Sequence, residues 1–463
     1  MRSVRVSGRD ATAGSGVPAV RRAESSPRPA QGMLWCAILY LMLWGGYNTD
    51  YGRLLEPGFP RNALDLFHGL RAFFPIVAGW LAILTLLARG SVRRRTYEGP
   101  LGLLALYALI GILSSLFISR EPLAALYWGL QYVSVILVLW VSLCEEESLV
   151  RIARLIKLNW IIAVLLTTVL LGLICFDPDV TLKAPGMLVV RSHGGGGRGS
   201  QQILGMTSTR NTGVARYAAI AGLAALTRLW EGSAVSRIAW SLVLLLSVFG
   251  LATLQARTAL LAFLFGGFLI LWLHRGARAL SFVWVPLAGL LLAVTGSYGA
   301  FWSYGTRGSA FDPTLTGRTA TWELGWALFK ESPWLGWGFQ ADRIYLAGQH
   351  MHNALFQSLV QTGLLGTFAF VTGLLVAWIV LVRLYLAPKL PGIPPLPIEI
   401  PAILAFVTIA SISESTIAFF GSVWLLVAPL LAYTQALDWQ RRTVTEANSR
   451  TLLTRVRSAQ SSQ

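Results

Sequence analysis

The residues best equipped for proton transfer stand together at Gly348-Gln349-His350-Met351-His352-Asn353-Ala354-Leu355, where two of only five histidines precede an apolar stretch. An imidazole in that position can serve as a general base near neutral pH. As metal ligands the pair reads poorly, being two residues apart with no carboxylate nearby in sequence, so no metal is expected. A second group is cationic: Arg191, Arg198, Arg210, Arg216, Arg257, Arg307, Arg318 and Arg343 all fall between or at the ends of apolar segments. A forked guanidinium matches phosphate oxygens, which makes such a cluster a candidate pyrophosphate site. Salt bridges to Asp312, Glu323, Glu331 and Asp342 are the competing use of the same side chains. Arg210 and Arg216 open an apolar helix whose N-terminus itself favours anions. Arg257 sits at a bare turn between two apolar runs, where it needs a partner, water or a ligand, or else snorkels to the interface. Glu414 lies inside another apolar stretch, costly unless it faces a cavity. His193 with Gly194–Gly197 lacks the strand, Lys and Ser/Thr of a phosphate-cradling loop, and Asp177-Pro178-Asp179 reads as a turn.

These groups hang on an apolar frame. Of 463 residues, 55% are hydrophobic and 13% charged, about half the charge density of a soluble domain. The net charge of +17 punctuates apolar runs and lines no continuous soluble face, so nucleic acid is rejected as a partner and membrane lipid is expected. About 20 apolar residues cross a bilayer. The pattern predicts an all-α polytopic membrane protein of about 12 transmembrane helices, over 33–47, 67–88, 100–118, 123–143, 155–176, 213–230, 238–254, 258–274, 281–298, 364–382, 401–417 and 419–437. Cys36, Cys144 and Cys175 have no ligand-like spacing and read as packing thiols.

If the spans alternate, nearly two-thirds of the 38 Lys and Arg fall on one side, in short segments such as 89–95, 151–157 and 441–457. That side is then cytoplasmic, with both termini on it. Residues 1–32 are expected to be a disordered basic cytoplasmic tail preceding an uncleaved first helix. Residues 33–437 form a single transmembrane domain, and 438–463 a second basic tail. Two long loops, about 177–212 and 299–363, face outward; the second is large enough for short helices. Long loops on a rigid scaffold are where function concentrates, and on that face substrates must arrive already activated.

The stretches Gly317-Arg318-Thr319-Ala320-Thr321-Trp322, Ser332-Pro333-Trp334-Leu335-Gly336-Trp337-Gly338-Phe339, His352-Asn353-Ala354-Leu355 and Gln361-Thr362-Gly363-Leu364-Leu365-Gly366 together resemble the motif region of the O-antigen ligase and O-antigen polymerase superfamily. The histidine-to-glycine spacing of His352 and Gly363 resembles the ligase branch. The resemblance implies a metal-independent glycosyltransferase of the bacterial inner membrane, without cofactor and with its active site facing the periplasm. It would move a glycan from undecaprenyl pyrophosphate to a sugar hydroxyl of lipid A-core. By position, His352 takes the role of the family's essential histidine, and Arg210 or Arg216 with Arg318 those of its arginines. Arg257, Arg191, Arg198, Arg343, Asn353 and Glu414 are expected to bind pyrophosphate or glycan. A polymerase acting on a second lipid-linked glycan is the alternative. A transporter or flippase is a more distant one, as no internal repeat is evident.

Overall fold

The computed structural model describes residues 29–47, 59–60, 62–90, 94–145, 147–176, 211–231, 233–253, 256–276, 318–346 and 348–461. Every regular element among them is helical. In chain order these are α1 (Pro29–Gly45), α2 (Ala63–Leu70), α3 (Phe74–Ala88), α4 (Arg94–Tyr97), α5 (Pro100–Phe117), α6 (Pro122–Leu143), α7 (Ser148–Phe176) and α8 (Asn211–Glu231). They continue with α9 (Ala234–Thr253), α10 (Arg257–Arg275), α11 (Arg318–Glu331), α12 (Ala341–Tyr345), α13 (Ala354–Leu386), α14 (Glu399–Ala410) and α15 (Ser422–Ser461).

Among the described residues, seven stretches are long and apolar enough to cross a membrane: Ala63–Ala88, Pro100–Phe117, Pro122–Leu143, Ser148–Gly172, Ala234–Leu251, Thr258–Arg275 and Ala354–Leu386. Their outward faces carry Trp80, Leu84, Leu87, Leu245, Phe368 and Ile379, all exposed, a density of bare apolar surface that suits lipid and not water. The chain is a multi-pass membrane protein. The expected ninth span, 281–298, lies outside the described residues, as do 1–28, 177–210 and 299–317. One boundary is corrected. The eleventh expected span, 401–417, stops being helical at Ala410 and gives way to turns over 411–421. The segment expected as a second basic tail, from 438, is helical and continues α15 to Ser461.

The core joins α5 to α6 and α13, α3 to α6, α8 to α9, and α10 to α14. Some buried polar groups inside it are paired across helices, where a dry interior makes such pairing valuable. Asn159 of α7 accepts from Trp44 Nε1 at 3.0 Å and donates to the Leu425 carbonyl at 3.1 Å, tying α1, α7 and α15 together. Tyr132 of α6 stacks flat on Trp424 of α15, ring centroids 4.7 Å apart.

One long helix is broken. Within α13, Gly363 takes φ 58°, ψ −161°, a region essentially restricted to glycine. The break frees carbonyls before it and N–H groups after it, and the segment 333–338 satisfies both sets. Trp337 and Gly338 donate to the Val360 and Gln361 carbonyls at 2.9 and 2.8 Å, while Leu364 and Leu365 donate to the Pro333 and Trp334 carbonyls at 2.8 and 3.2 Å. The approach is so close that a Cβ on Gly336, itself at φ 67°, would stand 2.5 Å from the Thr362 nitrogen. Phe339 then seats its fully buried ring in a notch left by Gly111 of α5 and Gly129 of α6, edge-on to Tyr107 with centroids 5.7 Å apart. The Pro-x-x-Gly-x-Gly stretch is thus a backbone clasp that moors the 318–353 segment to the bundle.

Candidate active site

The first half of α13 points its N-terminus at the turns of 411–421. Asn353 caps it, its Oδ1 accepting from the Phe356 N–H at 2.9 Å, the ordinary use of Asn at this position. Its Nδ2 donates to the Ile412 carbonyl at 2.9 Å, and the Ala354 N–H donates to the Ser411 carbonyl at 2.9 Å. Further in, Ser415 Oγ donates to Gln357 Oε1 at 3.2 Å. From the other side, Arg318 Nη1 donates to the Ser413 carbonyl at 2.9 Å, and Ser413 Oγ reaches Thr258 Oγ1 of α10 at 2.8 Å. The turn is therefore stitched to three helices, α10, α11 and α13.

That stitching sets Glu414 against His352. His352 Nδ1 lies 3.4 Å from Glu414 Oε2, and Arg318 Nη2 lies 3.5 Å from Glu414 Oε1. His352 itself sits at φ 47°, a left-handed conformation that a non-glycine residue holds only where its surroundings dictate it. Glu414 is 7% exposed. Burial pushes its carboxyl up, but the His352 hydrogen bond and the charges of Arg216, His352 and Arg318 outweigh this and hold it at about 2. It is a carboxylate at any physiological pH.

A cavity of about 250 Å³ opens beside this pair, lined among others by Arg216 of α8, Arg343 of α12, His350, His352 and Glu414. Arg343 Nη2 lies 3.2 Å from His350 Nδ1, and its guanidinium stands over the Phe419 ring, 5.4 Å from the centroid, a cation–π arrangement. Behind it, Asp342 is fully buried and accepts from Gln357 Nε2 at 2.6 Å and from the Met351 N–H at 3.3 Å. Burial raises its carboxyl above the usual range, against the pull of Arg343 and these hydrogen bonds. Two carboxylates in one neighbourhood thus have opposite environments, and only Glu414 faces the cavity.

Of the residues singled out from sequence, His352, Glu414, Arg216 and Arg343 come together around one cavity, and Arg318 joins through Glu414. Asn353 does not line it; both ends of its amide are engaged in the cap and the turn. Arg257 opens α10, with its side chain outside the described atoms, while Arg191, Arg198 and Arg210 lie outside the described residues. Glu414 sits in a turn, where a span interior was expected. Sequence inspection missed Tyr47, Trp128, Gln340, Phe419 and Phe420 in the cavity wall; aromatics flanking apolar runs are common to every membrane protein, so nothing distinguished these.

A family model described as O-antigen ligase matches residues 242–371, which bracket His352, Arg318, Arg343 and the clasp. The exopolysaccharide production protein ExoQ of Rhizobium meliloti (strain 1021) is 27% identical over 273 residues, covering 54% of this chain and 59% of that protein. The chain thus spans less than two-thirds of the length of the curated relative it matches. The resemblance to the ligase and polymerase superfamily read from the motifs is borne out.

Proposed function

We propose that this protein is a ligase-type membrane glycosyltransferase that moves a glycan from undecaprenyl pyrophosphate to a sugar hydroxyl of lipid A-core at the outer face of the inner membrane. The observation that carries the proposal is the His352–Glu414 pair opening on a cavity shared with Arg216 and Arg343. The Glu414 carboxylate fixes the Nδ1–H tautomer of His352, which leaves Nε2 as the base, the same division of labour by which a carboxylate orients a histidine in hydrolase triads. As the acceptor oxygen bonds to the anomeric carbon, its proton passes to Nε2. The bond from that carbon to the phosphate oxygen breaks, and the electron pair leaves with undecaprenyl pyrophosphate. Arginines held beforehand beside the departing charge stabilise it with little reorganisation. Arg216 and Arg343 are placed for this task. Arg318 acts through Glu414 and the Ser413 carbonyl, and so shapes the base. Attack opposite the leaving group inverts the anomeric centre, and none of these steps calls for a metal.

A polymerase remains the second reading, favoured by the relative named for exopolysaccharide production. The two separate in one assay with membranes, glycan-linked undecaprenyl pyrophosphate and rough lipopolysaccharide. Core capped with glycan, in the presence of chelator and lost in His352→Ala, supports the ligase. Longer lipid-linked chains with unmodified core support the polymerase. Neither product from the wild-type protein would sink both.

A further inference from the structure

Asp342 is a buried acid that the reaction above does not use. It does not line the cavity, so it neither takes a proton from an acceptor nor touches a phosphate. A charge taken fully out of water is costly and calls for a reason. The hydrogen bonds of its two oxygens supply one, because both lead to groups beside the reacting pair.

On one side, Oδ2 accepts from the N–H of Met351 at 3.3 Å, and Met351 immediately precedes His352. The Met351 carbonyl is held as well, accepting from Trp322 Nε1 at 2.6 Å. The residue before His352 is thus fixed at both ends of its backbone. His352 needs such control, because a φ of 47° persists only where the surroundings over-determine it. On the other side, Oδ1 accepts from Gln357 Nε2 at 2.6 Å. The far end of that amide, Oε1, accepts from Ser415 Oγ at 3.2 Å, and Ser415 immediately follows Glu414. Asp342, Gln357 and Ser415 are all buried, where water competes little for these bonds. The relay also has a polarity. An amide donates only at nitrogen and accepts only at oxygen, so an acceptor at position 342 turns the Gln357 oxygen toward Ser415.

We propose that Asp342 is a positioning residue. Through Met351 on one side, and through Gln357 and Ser415 on the other, it sets His352 and Glu414 at the 3.4 Å separation at which they pair. Its effect on turnover rests on the glycan-transfer reading and deepens it, by naming the group that aligns the base with its carboxylate. A carboxylate that served only to hold α12 in place would leave the pair indifferent to it.

The purified protein in detergent tests this in two arms, glycan transfer and thermal unfolding. Asp342→Asn sets an N–H2 group against one of two donors. It should lower kcat about tenfold or more, the worth of a hydrogen bond to a charged group, at unchanged KM for donor and acceptor. Combining it with Gln357→Glu reverses the relay: the new amide donates to the new carboxylate, keeps an oxygen for the Met351 N–H, and leaves Ser415 an acceptor. That double variant should recover most of the lost kcat. The second arm needs no activity. Glu414→Gln should lower Tm in the wild-type background, and by about half as much or less beside Asp342→Asn, because a misaligned pair has little left to lose; independent sites would give additive losses. Where Asp342→Asn does not fold, Ser415→Ala, which cuts the relay at its far end and away from α12, takes its place in both arms. Additive Tm losses, or a kcat that stays low in the reversed pair while its Tm recovers, overturn the relay. A wild-type protein that transfers no glycan sinks the reaction, and the Tm arm then decides the relay alone. Transfer with kcat unchanged in both Asp342→Asn and Ser415→Ala sinks the relay and keeps the reaction.

Discussion

Two irregular segments flank α13, and they spend their polar groups in opposite ways. The clasp at 333–338 uses its backbone: N–H and C=O groups close the gap at Gly363, and its glycines are there because a Cβ would collide. The turn at 411–421 uses its backbone to anchor itself and sends a side chain, Glu414, into the cavity. Broken helices in membrane proteins often leave their freed groups to an ion or substrate. Here the chain itself occupies the break, and the cavity lies about two and a half turns away, at the helix start. On the proposed reading, the glycine-rich motif near His352 marks architecture, and the less conspicuous acidic turn marks function.

The contrast can be broken most forcefully at Gly363. A Gly363→Val substitution puts a β-branched side chain in a glycine-only conformation against the Trp334 backbone. Strain of this kind together with overpacking costs about 3–5 kcal/mol, so the protein should fail to elute as a monodisperse species from size exclusion. At the other segment the fold should survive and turnover should not. His352→Ala should lower kcat by about 10²–10⁴-fold, the usual worth of a positioned base, with an unchanged elution profile; a loss under tenfold would remove His352 from the base role.

Glu414→Gln sharpens the comparison by separating charge from shape. Transfer should fall about 10²-fold, and stability at pH 7 should drop as well. A carboxyl held at about 2 against an ordinary value near 4.5 contributes on the order of 3 kcal/mol. Because the folded value is lowered, that contribution is complete above about pH 5 and disappears as pH falls through about 2. The difference in Tm between wild type and Glu414→Gln should therefore be constant from pH 6 to 8 and close on acidification. A gap that widens toward low pH would contradict the ion-pair assignment. The smallest effect is expected at Asn353. Asn353→Ala loses a cap worth about 1 kcal/mol and the tether to Ile412, with turnover down about tenfold. Asn353→Asp should restore the Tm through the cap but not the turnover, because it keeps the acceptor and loses the donor to the turn.

Much of this was legible beforehand. Apolar run length located every described long helix, since crossing hydrocarbon leaves little freedom in composition or length. His352 and Glu414 stood out because polar groups are costly in an apolar setting. What could not be read depends on backbone conformation and on pairing in space. Hydropathy carried the eleventh span through to Ile417 because Ile412 and Ile417 are apolar, whereas the chain turns at Ser411 to meet the N–H of Ala354. Asn353 was assigned to substrate although Asn before Ala-Leu-Phe is also a cap signal.

The last helix adds a means of measuring orientation. With 40 residues at 1.5 Å each, α15 is about 60 Å long, twice the ~30 Å hydrocarbon thickness. Ser422 and Val423 at its start belong to the cavity wall. If the apolar first half of this rod, from Ser422 to Leu437, crosses the bilayer as the expected last span would, the rest emerges on the side opposite the cavity. An impermeant label captured at Ser461 would then report which compartment the cavity opens to, without touching a residue that the reaction needs.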